Sequence, residues 1–112
     1  MNIPIKSIRF PLENLYPSGR YILKEVSTVY EFVDSKKTGN IQGTRYTVID
    51  LDSLDKFDVK VPSTNAVITA SQLKQTEEHT FVSFSNALVC PYRIEFGKAV
   101  CSVIADSVTI VQ

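Results

Sequence analysis

Between Lys56 and Pro62 the chain reads KFDVKVP, an unbroken alternation with Phe57, Val59 and Val61 on one side and Lys56, Asp58 and Lys60 on the other. Successive side chains of a β-strand point to opposite faces, so this stretch fits an antiparallel strand with one face packed and one in water. Pro62, which has no N–H to give to a ladder, closes it. No other stretch alternates as cleanly. TRYTVIDL, HTFVSFSNALV, PYRIEF and KAVCSVIADSVTIV are rich in β-branched and aromatic residues and read as further strands. RYILKEVSTVYEFV, from Arg20 to Val33, is long enough for a bent strand shared between two sides of a barrel. DSKKTGNIQG, with Gly39 and Gly43, reads as a flexible hairpin tip. Phe96-Gly97-Lys98 reads as the turn between the last two strands.

A short helix is expected over Thr69 to Glu77, where TASQLKQTE holds good helix formers but little apolar stripe. The first 19 residues read as an irregular edge segment in which Ile3, Ile5, Ile8 and Phe10 alternate with Lys6 and Arg9. Pro17-Ser18-Gly19 ends it as a turn. Many short strands with at most one helix point to a mainly β fold, a small antiparallel β-barrel, closed or partly open.

The 112 residues are expected to form one domain, because that length buries a working core without an interdomain cleft. The longest uncharged apolar run, near Ala87 to Cys90, is far short of the roughly 20 residues that cross a bilayer. With no signal-like segment after Met1, a cytoplasmic chain without membrane contact is expected. Twelve basic and twelve acidic residues cancel, so no overall cationic field draws in nucleic acid. A basic stripe opposite an acidic one is still compatible with that balance.

Cys90 and Cys101 stand at the two ends of CPYRIEFGKAVC. A two-residue hairpin loop sets Cys101 opposite Tyr92, a three-residue loop sets it opposite Arg93, and neither register pairs the thiols as a disulfide needs. Two cysteines ten residues apart and the lone His79 fall short of a zinc ligand set. The expected role of both cysteines is packing inside the core. The acidic pairs Asp50/Asp52 and Asp55/Asp58 surround a turn, where Asp bonds the local backbone; a divalent-cation site is the weaker reading of them. No nucleophile elbow and no Gly-rich phosphate loop is present in the sequence. An enzyme is therefore not expected, nor a cofactor, a metal or a small-molecule substrate.

Binding chemistry is better represented, since cations neighbour aromatics at Arg9-Phe10, Arg20-Tyr21, Arg45-Tyr46 and Tyr92-Arg93. Neighbours on a strand point apart, so such pairs build a surface only where adjoining strands or a bend gather them. Most of these aromatics are expected in the core, tyrosines being the residues best suited to stand in water and stack a base.

Three stretches carry a resemblance: TRYTVIDLDSLDKFDVKVP, VSFSNALVCPYRIEF and SVIADSVTIV. Together they resemble small conserved proteins of conjugative transposons and plasmids of Gram-positive bacteria. Their layout is similar to that of the single-stranded DNA-binding proteins of filamentous phages, which have an oligonucleotide-binding (OB) type five-stranded fold. The resemblance implies a cytoplasmic, non-catalytic accessory protein of a mobile genetic element that binds single-stranded DNA. By position it nominates Arg45 and Tyr46, Lys56 and Lys60, Lys36 and Lys37 at the hairpin tip, and Tyr92 and Arg93. The alternative is a protein-interaction or regulatory β-domain of a conjugative element or phage without a nucleic-acid role. For either, the N-terminal segment offers an edge for homo-oligomerisation.

Overall fold

A computed structural model describes residues 7–76 and 78–111. The expectations placed on Ile3, Ile5, Lys6 and Glu77 lie outside the described residues. Among those described, eight strands form one sheet: β1 (Phe10–Pro11), β2 (Tyr21–Val33), β3 (Lys36–Asp50), β4 (Lys56–Val61), β5 (Thr80–Ser85), β6 (Leu88–Glu95), β7 (Lys98–Ile104) and β8 (Ser107–Val111). Their hydrogen-bonded order is β1-β6-β7-β4-β3-β2-β5-β8. The fold is thus mainly β, as the alternation implies. It departs from a purely antiparallel sheet in one ladder: β4 and β7 run parallel, through Val59↔Val103 and Lys60↔Ile104. Among the described residues no ladder joins β1 to β8, so the strand order is open at both ends.

The alternation in β4 sorts its side chains as expected. Val59 and Val61 are buried, Phe57 is half-buried against them, and Lys56, Asp58 and Lys60 are exposed. Tyr46 and Val48 of β3, Tyr21 and Leu23 of β2, Val82 of β5, Val103 of β7 and Val108 of β8 complete the buried face. At one end Phe57 stacks on Tyr16 with ring centroids 5.0 Å apart and meets Tyr21 edge-on at 5.7 Å. Burial, reinforced by the charge of Asp50, pushes the Tyr21 phenol up to about 12.

The segment expected to be a ten-residue hairpin tip is mostly strand. The β2–β3 ladder continues to Val33↔Lys36, and the turn is Asp34-Ser35 alone. Both turn residues have positive φ (52° and 65°), the backbone that a two-residue hairpin needs to match strand twist. Register shifts after Val29 and after Tyr30 take up the extra residues of β3. Phe96-Gly97 makes the second such turn, with φ of 51° and 78°.

Two stretches read as single strands are each broken once. Asn86, at φ 52°, ends β5, and Ala105-Asp106 separates β7 from β8. The breaks face each other: the Asn86 side-chain amide donates to Asp106 at 2.9 Å, and the Asp106 N–H donates to the Ser85 carbonyl at 2.9 Å. Across the same break the Ala105 N–H donates to Lys60 O at 3.0 Å. The final run of chain therefore lies against β4 with its first half and against β5 with its second.

Besides a single 3-10 turn at Leu12–Asn14, the described residues hold one α-helix, α1 (Ala70–Gln75), in the expected place and shorter than expected. A capping box starts it: the Gln72 N–H donates to Thr69 Oγ1 at 3.2 Å while the Thr69 N–H donates to Gln72 Oε1 at 2.9 Å. Leu73 is its residue packed against the core. Among the described residues no helix is long and apolar enough to cross a membrane.

The acidic turn after β3 does structural work. Asp50 is 1% exposed, and its carboxylate accepts from Ser18 Oγ (2.9 Å), the Ser53 N–H (2.8 Å), Ser53 Oγ (3.0 Å) and the Asp52 N–H (3.1 Å). Burial by itself would raise its pKa, but these donors outweigh burial and hold the carboxyl below the usual aspartate value.

Candidate nucleic-acid interface

On the outer face of the sheet the ladders align one side chain from each of five strands. Ser27 of β2 pairs with Arg45 of β3, Arg45 with Lys60 of β4, Lys60 with Ile104 of β7, and Ile104 with Leu88 of β6. Adjacent strands lie about 4.8 Å apart, so Arg45 and Lys60 are forced side by side. Like charges directly opposite each other repel, and an anion set between them removes that penalty.

Beside this row the sheet opens. The β4–β7 ladder spans only Val59–Lys60, and on the amino-terminal side of Val103 strand β7 leaves β4. A cleft of about 570 Å³ occupies the gap. Arg45, Asp58 and Lys60 line it from one side, and Tyr92, Cys101 and Ser102 from the other. Asp58 is engaged as an acceptor by Thr47 Oγ1 at 2.6 Å. Two cations and one carboxylate leave the cleft with a positive surplus in a molecule of formal net charge zero. Part of the balancing acid is at the far end of β3, where Asp50, Asp52 and Asp55 build the turn into β4.

Tyr92 is 40% exposed, and the Arg93 guanidinium lies 5.3 Å from its ring centroid. Arg93 also pairs with Glu95 at 3.0 Å. Both members of that pair stand in water, where such a bridge contributes about 1 kcal/mol or less, so a phosphate can replace Glu95 at little cost.

Of the residues nominated from sequence, the structure gathers Arg45, Lys60 and Tyr92 around one cleft and puts Arg93 against Tyr92. Lys56 shares the outer face but lies four residues along β4 from Lys60, about 13 Å away. Lys36 and Lys37 are at the β2–β3 tip, nine and eight residues and about 25 to 30 Å along the strand from Arg45. There Lys37 Nζ sits 3.7 Å from the Tyr30 ring centroid. Tyr46 is in the core at 1% exposure, where its hydroxyl oxygen accepts the Val67 N–H at 3.1 Å. It offers no face to a base, because its neighbour Arg45 takes the outward position.

The cysteines divide. Cys90 is buried, as expected, but Cys101 is exposed. A register shift at Tyr92 sets Pro91 opposite Cys101 and Cys90 opposite Ser102, so the thiols occupy offset positions on opposite faces and both are free. Asp58, Cys101 and Ser102 are cleft residues that were not picked out as such in the sequence. Locating them needs the parallel β4–β7 contact, which no local pattern announces. No protein-family model, no curated protein and no solved structure matches the chain.

Proposed function

We propose that this chain is a non-catalytic domain that binds single-stranded nucleic acid without sequence preference, holding it in the cleft between β4 and β7. The observation that carries the reading is the meeting of Arg45, Lys60 and the exposed Tyr92 ring around one open groove. Paired cations serve the phosphates and a flat aromatic serves a base, which is how sequence-tolerant single-strand binding is built.

An OB-type fold is part of the proposal. Strand β2 pairs with both β3 and β5, and the β7–β8 run pairs with β4 and β5. That connectivity supports a five-stranded Greek-key barrel in which β3 and β4 are the second and third strands. In such barrels the face of these strands and the loops flanking them bind oligonucleotides. Strand β6 and its turn into β7 then form the connection between the fourth and fifth strands, and the cleft lies beside them. A place on a mobile genetic element is supported by the sequence resemblance.

Fluorescence anisotropy of a labelled oligo-dT tests the reading. Binding is expected at low salt, with an affinity that falls steeply as salt rises, and Tyr92→Ala is expected to weaken it about tenfold. A flat trace at low salt removes the proposal.

A second reading, a protein-interaction domain without a nucleic-acid role, is favoured by Ile94 and Phe96. They are 66% and 102% exposed at the end of the β6–β7 hairpin. That reading predicts partner binding insensitive to salt.

A further inference from the structure

The row of Arg45, Lys60, Ile104 and Leu88 has a second cavity on its other side, of about 300 Å³. Its walls are largely apolar, from Val29, Pro62, Leu88 and Ile104, and Gly43 leaves bare backbone among them. Gln42 and the Asn86–Asp106 pair bring amide and carboxylate groups to the same groove. Lys60 lines both this groove and the cationic cleft, so it stands on the divide between them.

We infer that this groove receives one unstacked nucleobase of the strand whose phosphate Lys60 holds. The inference rests on the nucleic-acid reading above and extends it to a defined base subsite. A phosphate at Lys60 has two neighbouring nucleosides. One faces the cleft, where Tyr92 offers a stacking surface, and the other faces the apolar groove. The groove is at the small end of the range for small-molecule sites, mostly apolar with a few polar groups, which matches one planar heterocycle carrying donors and acceptors on its edge. Lys60, the cation in its lining, stands where the anionic backbone of such an occupant would pass, and the Asp106 carboxylate is held by Asn86.

The test compares two chains of equal length against the full-length protein: oligo-dT and a deoxyribose-phosphate polymer without bases. Ile104 is 41% exposed, so Ile104→Ala leaves the core intact, and a thermal melt verifies this. Ile104→Ala is expected to weaken oligo-dT about fivefold and leave the baseless polymer unchanged, while Ile104→Val, which keeps the apolar wall, stays close to wild type. An Ile104→Ala protein that binds oligo-dT as wild type does, or that loses both chains equally, overturns the base subsite. Wild type binding both chains with equal affinity removes the subsite and base stacking on Tyr92 with it, and leaves the phosphate contacts of Arg45 and Lys60 standing. Wild type binding neither at low salt overturns the nucleic-acid reading and the subsite with it.

Discussion

Gly43→Ala is expected to destabilise the protein by about 2 to 4 kcal/mol, lowering the melting temperature by about 10 °C or more. A Cβ at this position would fall onto the Val61 carbonyl oxygen and press on the Pro62 Cα. Both are backbone atoms at the end of β4, so no side chain can swing aside. The φ of Gly43 is not in the left-handed region, and the cost comes from contact alone. Gly39 provides the contrast: a Cβ there meets nothing within 4 Å, and at φ 90° the cost is the backbone strain of a side chain in an unfavoured conformation. Thermal or urea unfolding of Gly43→Ala measures the effect. A neutral result would mean that β3 and β4 approach less closely at this point than described, and the apolar groove, which Gly43 helps to line, would lose its shape.

The double variant Arg45→Gln, Lys60→Gln is the second large effect. Removing two phosphate contacts is expected to weaken oligo-dT binding about 30- to 100-fold at low salt. It should also reduce the slope of log K against log salt by about 1.4, the share of two contacts on a single strand. Both side chains are outward-facing, so folding should survive the change. An unchanged slope, even with weaker binding, would show that neither cation meets a phosphate.

The parts of this arrangement legible in the sequence are those set by period-2 alternation. Lys60 can be placed on the solvated face because Phe57, Val59 and Val61 claim the other one. The same logic decides between Arg45 and Tyr46, since neighbours on a strand cannot both face outward and Tyr46 shares its parity with the buried Val48. The resemblance nominates both residues by position, and parity leaves Arg45 alone facing outward. The turns at Asp34-Ser35 and Phe96-Gly97 are short because positive φ at two successive positions suffices to reverse a hairpin, and Asp34-Ser35 does it without a glycine. The strand breaks at Asn86 and Asp106 carry no proline or glycine. They are held by a hydrogen bond to each other across 20 residues, a tertiary contact that composition does not reveal. The cleft exists because β4 and β7 pair over two residues alone, and Cys101 is exposed because it lies on β7 outside that ladder. Both follow from how distant strands meet.

The exposed Cys101 thiol supplies the most direct test of where a strand binds. Cys101 lines the cleft and is exposed, while Cys90 is buried, so a maleimide applied to the folded protein modifies Cys101 first, as mass spectrometry can verify. Saturating oligo-dT at low salt is expected to slow modification of Cys101 at least tenfold, and raising the salt is expected to restore the rate. A Cys101 rate unchanged while anisotropy reports the oligonucleotide fully bound would place the strand elsewhere on the protein and contradict the cleft as its seat.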